Sequence, residues 1–134
     1  MSAREVLDAA QAAGVMIATA ESCTGGMVAT ALTDIAGSSS VVERGFVTYS
    51  NNAKKSLLGV SDETLERHGA VSEEVAREMA EGALQNAPVD LTVSVTGIAG
   101  PGGSEFKPEG RVCFGIAQTD GPTHTETIEF GAVG

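Results

Sequence analysis

The chain of 134 residues is long enough for one hydrophobic core and too short for two ordinary domains. Its formal net charge of −10, with only eight Lys and Arg residues, repels a nucleic-acid backbone, which needs a clustered basic face to hold it. Apolar residues make up 42% of the chain without the run of roughly 18–20 that a membrane span requires, and Glu5 and Asp8 interrupt any leader-like stretch, so a soluble cytoplasmic protein is expected.

The first element is read as a helix from Ser2 to Ala13: Val6, Ala9, Ala10 and Ala13 recur at helical spacing, and Ser2 stands three residues before Glu5 in a capping position. Gly14 closes it. Val15 to Ala20 is a short apolar run of the buried-strand type, followed by the turn Glu21-Ser22-Cys23-Thr24-Gly25-Gly26 and a helix from Met27 that ends near Gly37. Val41 to Tyr49, rich in β-branched and aromatic residues, reads as a second strand. Ser50-Asn51-Asn52 caps a helix over Ala53 to Leu58, Ser61 caps another to Arg67, and Ser72 a third to about Ala87, with Pro88 behind it. Leu91 to Thr96 is a third strand, and the glycine-rich stretch Gly97 to Ser104 has to be a loop. Val112 to Gln118 and Thr123 to Phe130, around Asp120-Gly121-Pro122, read as a hairpin at one edge of the sheet.

In open α/β sheets ligands collect at the carboxyl ends of the strands. Three polar segments follow strands here: Glu21 to Gly26, Tyr49 to Lys54, and Thr96 to Ser104. If the strands are parallel, all three meet at one end of the sheet. Ser22, at a strand-to-helix turn, can present a hydroxyl to a ligand beside the amides of Cys23 through Gly26, or can simply cap the helix. Cys23 could be a thiol nucleophile at the same helix start, but no histidine lies in the three segments to serve it. His68 and His124 stand apart and read as surface or structural residues. Lys54 is a candidate base for a serine, since desolvation lowers a lysine pKa, and it could equally be a solvated helix lysine. Lys55, one position on, cannot face the same pocket and reads as solvated. Tyr49 could relay a proton, hold a ligand through its hydroxyl, or be a strand-end aromatic. Cys23 and Cys113 lack any metal-ligand spacing and read as free thiols.

These segments resemble the CinA C-terminal family. The resemblance rests on Ala20-Glu21-Ser22-Cys23-Thr24-Gly25-Gly26, on Asp34 to Ser39, on Arg44-Gly45-Phe46-Val47-Thr48-Tyr49-Ser50-Asn51 with Lys54, on Gly69-Ala70-Val71-Ser72, and on Gly97-Ile98-Ala99-Gly100-Pro101 running to Lys107-Pro108. It implies a three-layer α/β/α sandwich with a mixed, mainly parallel sheet, and hydrolysis of nicotinamide mononucleotide to nicotinic acid mononucleotide and ammonia without metal or cofactor. By position it implies Ser22 as nucleophile, Lys54 as its base and Tyr49 as an accompanying hydroxyl. Thr24, Gly25, Gly26, Asn51, Gly97, Gly100, Gly102 and Gly103 are implied to bind the substrate and stabilise the oxyanion. A catalytically silent ligand-binding or scaffolding member, associated with competence or DNA damage, is the alternative within the same family. The family continues past the turn at Phe130-Gly131 with an Arg-containing segment and a final helix, so a single domain short of that helix is expected. Such a chain should have an uncovered apolar sheet face, hence a homo-oligomer, and weaker affinity for the substrate phosphate.

Overall fold

The computed structural model describes residues 2–103 and 107–132; Ser104, the last position of the expected glycine-rich loop, and Val133 and Gly134 at the C-terminus lie outside the described residues. Helix α1 (Ala3–Ala13) starts at the capping box read from the sequence, with Glu5 N–H donating to the Ser2 hydroxyl and Ser2 N–H donating to the Glu5 carboxylate. Gly14 ends it at φ 68°, a left-handed conformation that costs glycine nothing. There follow β1 (Ile17–Glu21), α2 (Met27–Thr33), a 3-10 turn (Ser38–Ser40), β2 (Val42–Val47), α3 (Asn51–Leu58), α4 (Asp62–His68), α5 (Glu73–Gln85), β3 (Leu91–Gly97), β4 (Arg111–Gln118) and β5 (His124–Glu129).

Element types agree with the sequence reading, while several ends do not. Helix α2 stops at Thr33 rather than near Gly37, because the Ser38 hydroxyl donates to Thr33 O and Gly37, at φ 89°, turns the chain. Strand β2 stops at Val47 rather than Tyr49. The apolar character continues, but Thr48 N–H bonds to Glu21 O as the chain leaves the sheet, so pairing and not hydrophobicity sets the boundary. Helix α3 starts at Asn51 because Ser50 alone is its cap, accepting from Ala53 N–H at 3.0 Å.

The five strands lie in the order β2-β1-β3-β4-β5. β1 pairs in parallel with β2 and β3, and β4 runs antiparallel to β3 and β5. Four strands therefore point one way and β4 the other, the mixed sheet expected, with the hairpin at its edge. On one side, Leu7, Ala10 and Leu32 of α1 and α2 pack with Ile17 and Val41; on the other, Leu58, Val75, Met79 and Ala83 of α3 and α5 pack around Ala20. The result is three layers, helix on sheet on helix.

Helix α5 approaches the sheet closely because its contact residues are small. The Thr92 and Ser94 hydroxyls of β3 donate to its Ala80 and Ala76 carbonyls, each at 2.6 Å. A Cβ on Gly82 would sit 1.8 Å from Leu58 O, and one on Gly115 2.6 Å from Ala76 O, so neither position admits a side chain without moving backbone. The opposite face of β4 and β5 is less covered: Val112, Phe114 and Ile128 are half-buried, and Ile116 is 42% exposed. None of the described helices is long and apolar enough to cross a membrane.

Candidate active site

The parallel register brings Glu21, Val47 and Val95 level, so β1, β2 and β3 end at the same edge and deliver their following segments to one place. Ser22 extends the β1–β3 ladder by one bond, Ser22 N–H to Val95 O at 2.9 Å, which holds its main chain at the sheet edge. Its Oγ, on a residue only 7% exposed, donates to Tyr49 O at 3.4 Å. Lys54, in the first turn of α3 and 2% exposed, donates from Nζ to the same Tyr49 O at 3.3 Å. One main-chain carbonyl thus gathers a buried hydroxyl and a buried amine from two separate elements.

Burial pushes the Lys54 amine below the ordinary lysine range, opposed only by the nearby Cys23 thiol. Lys55, as expected, faces away and pairs with Asp62 at 2.8 Å on the surface. For Cys23, burial pushes the thiol above its ordinary value and Glu21 adds to the rise, against lowering by the adjacent amides and Lys54. That disfavours the thiolate a cysteine nucleophile requires. Cys23 and Cys113 are both free.

A cavity of about 290 Å³ lies over these groups. Its wall includes Ser22, Tyr49, Asn51, Lys54, Gly97 and Gly100, six of the residues singled out from the sequence. Tyr49 enters differently from the expectation of an accompanying hydroxyl: its side chain is 72% exposed, and its carbonyl is the group that touches Ser22 and Lys54. Thr24, Gly25 and Gly26 are not among the lining residues. The Thr24 hydroxyl donates to Glu21 at 2.5 Å, and Gly25 N–H donates to Ser22 O at 3.1 Å. Gly102 and Gly103 also lie off the cavity, Gly102 N–H on the Glu109 carboxylate and Gly103 packed against Lys107 O.

Two residues carry structure that the sequence reading passed over. Glu21, 1% exposed, accepts from Val28 N–H at 2.9 Å and Ala29 N–H at 3.0 Å, capping α2 from the end of β1 where the Gly26 cap has no side chain to offer. An acid just ahead of a glycine-capped helix is the available signal, since a carboxylate is favoured at a helix N-terminus. Lys107 donates to His68 O and Val71 O, tying the far end of the glycine-rich loop to the α4–α5 connection. His68 and His124 are exposed, away from Ser22. Among the described residues no cluster of three or more His, Cys, Asp or Glu side chains is placed to hold a metal ion.

The sequence pattern of the CinA C-terminal domain matches residues 1–133. A nicotinamide-nucleotide amidohydrolase PncC from Enterobacter agglomerans is 58% identical over 127 residues, which is 94% of this chain and 77% of that protein. The protein of the same name from Escherichia coli strain K12 is 59% identical, over 87% of this chain and 72% of its own length. A CinA-like protein from Chlorobium phaeobacteroides is 60% identical over 86% of this chain but only 29% of its own length, so there the match is to one part of a larger protein. Among solved structures, the competence/damage inducible protein CihA from Agrobacterium tumefaciens superposes with a TM-score of 0.94 at 50% identity, over 98% of this chain and 81% of that one.

Proposed function

The chain belongs to the CinA C-terminal domain family, and from that membership and the geometry at the sheet edge we propose that it is a nicotinamide-nucleotide amidohydrolase, releasing ammonia from the carboxamide of nicotinamide mononucleotide. The observation that carries the chemistry is the convergence of Ser22 Oγ and Lys54 Nζ, both buried, on one carbonyl at a cavity wall.

In this reading neutral Lys54 takes the Ser22 hydroxyl proton as Oγ attacks the carboxamide carbon. The tetrahedral intermediate collapses with proton transfer from Lys54 to the departing nitrogen, which leaves as ammonia, and an ester on Ser22 remains. Water, deprotonated by Lys54, then cleaves that ester to give the carboxylate product and regenerate the serine. Gly97 and Gly100 border the cavity, and their side of the wall is assigned the oxyanion donors. The amide of Gly25 and those of the first turn of α2 already have internal partners, which argues against that side. Asn51 at the cavity mouth is assigned to substrate binding.

The proposal includes a homo-oligomer in the cytoplasm. It is supported by the incompletely covered face around Phe114 and Ile116 and by two free thiols, which suit a reducing compartment. Sedimentation showing a monomer at micromolar concentration would refute the oligomer. For the reaction itself the test is ammonia release from nicotinamide mononucleotide. The parent chain should release it and Ser22→Ala should not; a folded parent chain without activity would leave the silent ligand-binding reading in its place.

A further inference from the structure

Helix α2 begins at the turn that carries Ser22 and Cys23. A cysteine beside a helix start is ordinarily acidified, because unpaired amides there favour the thiolate. Here the amides are taken. Met27 N–H donates to Thr24 O at 3.0 Å, and Val28 N–H and Ala29 N–H donate to the two carboxylate oxygens of Glu21 at 2.9 and 3.0 Å. The Thr24 hydroxyl donates to the same carboxylate at 2.5 Å, and Glu21 is 1% exposed. A fixed negative charge is thus built into the turn, one position before Ser22 and two before Cys23.

Cys23 shares the cavity wall with Ser22 and Lys54. A thiol and an amine in such a pair can exchange one proton, which leaves Sγ as thiolate and Nζ as ammonium. That state would remove the base, since an ammonium cannot accept the Ser22 proton. Besides Cys23, the titratable groups on the wall are Lys54 from α3 and Tyr49, whose side chain is exposed; β3 contributes Thr96 and Gly97, which carry no charge. Burial pushes the Cys23 thiol up, Glu21 adds to the rise, and Lys54 pulls the other way. The charge that acts on the Lys54 amine is that of Cys23. The Glu21 carboxylate therefore bears on the thiol of the pair and not on the amine.

We propose that Glu21 is a positioning residue that keeps Lys54 available to Ser22: by filling the amides of α2 and holding a negative charge beside Cys23, it blocks passage of the Cys23 proton to the Lys54 amine. The proposal rests on the reading of Ser22 and Lys54 as nucleophile and base. It gives Glu21 a part in the reaction although the residue lies behind the cavity wall and touches nothing bound there. It also accounts for how a thiol can stand next to the serine and beside the lysine without taking over either role.

The experiment follows two midpoints against pH: that of Cys23 alkylation by iodoacetamide, located by peptide mass mapping, and that of ammonia release from nicotinamide mononucleotide. Glu21→Gln should move them in opposite directions, each by about half a pH unit or more. The thiol midpoint falls because an opposing charge is gone, and the rate midpoint rises because a thiolate stabilises the Lys54 ammonium. Glu21→Gln combined with Cys23→Ser has no thiol to ionise and should return the rate midpoint to that of the parent chain. Thr24→Val loosens the same turn with the charge in place and should leave both midpoints where they are. Midpoints unmoved in Glu21→Gln, equal shifts in Thr24→Val, or a rate midpoint that Cys23→Ser does not restore would each overturn the proposal. So would equal gains in alkylation at Cys23 and at Cys113, 2% exposed, since these report unfolding. Should Glu21→Gln not fold, the parent chain and Cys23→Ser decide: equal rate midpoints uphold the proposal, and a fall on removing the thiol means that the thiolate forms despite Glu21. If the parent chain releases no ammonia, the enzymatic reading fails, while a lowered thiol midpoint in Glu21→Gln still upholds the action of Glu21 on Cys23. If the nucleotide is hydrolysed and neither midpoint moves, this inference fails and the enzymatic reading stands.

Discussion

The turns that follow β1 and β3 look alike in the sequence, both polar and rich in glycine, yet their main-chain groups face different partners. Behind β1, Gly25 N–H bonds to Ser22 O, and the first free amides of α2 bond to the buried carboxylate of Glu21. Behind β3, Gly97 and Gly100 border the cavity, while Ile98 N–H bonds to Arg111 O and the more distant Gly102 N–H to Glu109. A glycine-rich turn at a helix N-terminus is therefore not by itself an anion site. Whether an acid from the same chain already occupies the amides decides it, and β1 supplies that acid one position before the serine.

On this comparison the β1 turn holds Ser22 in place, and the proposed chemistry rests on Ser22 and Lys54. The largest expected effect follows. Ser22→Ala and Lys54→Ala should each lower kcat by about 10³-fold or more with the fold intact, and the double variant should be little worse than either single one, because nucleophile and base act as a unit. Steady-state kinetics with circular dichroism on all three variants checks it. Effects that multiply in the double variant would break the pairing.

Next in size is a pH effect with a definite sign. Burial lowers the Lys54 pKa, so the rate should rise with pH, by up to about tenfold per pH unit, until the amine is neutral and then level off. Stability shows the same displacement. The unfolded chain holds the Lys54 proton more tightly than the folded one, so between the two pKa values stability rises with pH. Lys54→Met should therefore raise Tm at about pH 7, and its advantage should shrink as pH approaches the roughly 10.4 of a free lysine. A variant whose advantage grows with pH would contradict a desolvated lysine.

How far the sequence could carry the reading is visible in the same two turns. Among the described residues, periodicity and caps located each α-helix and strand but not the 3-10 turn at Ser38–Ser40; Ser2, Ser50, Ser61 and Ser72 each cap the helix that follows them. That the segments of Ser22 and Lys54 meet was legible because parallel strands deliver their following segments to one edge. What the sequence could not express is which atom of a residue acts. Tyr49 drew notice for its hydroxyl, whereas its carbonyl makes the contacts, and Thr24 to Gly26 drew notice for amides, of which that of Gly25 bonds back to Ser22 O. Glu21 caps the helix that follows it, for which an acid ahead of a glycine cap was the one local signal, whereas Lys107 acts through bonds to main chain distant in sequence, which no local spacing encodes.

Removing the Glu21 charge tests the β1 turn directly. Glu21→Gln retains the shape but replaces a carboxylate that accepts three hydrogen bonds with a neutral amide, so stability should fall by about 2–4 kcal/mol. Glu109→Gln, at the less buried tie on the β3 loop, should cost less than about 1 kcal/mol. Denaturant unfolding of the two variants separates the turns. Equal losses would mean that the carboxylate at β1 holds its turn no more firmly than the one at β3.

The smallest expected effect concerns Cys23, the neighbour of Ser22, the proposed nucleophile, and the residue that most resembles an alternative one. Its Sγ lies where a Cβ on Gly97 would come within 3.1 Å, so it is packed between the two turns as part of the cavity wall. Burial and the Glu21 charge hold its proton on, which leaves little thiolate at neutral pH. Cys23→Ser keeps nearly the same shape and should retain activity within about tenfold of the parent chain, equivalent to roughly 1.4 kcal/mol in the barrier. Alkylation of the parent chain should also be slow relative to a free thiol, as expected of a protonated, half-buried cysteine. Complete loss of ammonia release in a folded Cys23→Ser variant, together with retained activity in Ser22→Ala, would exchange the roles of these two adjacent residues.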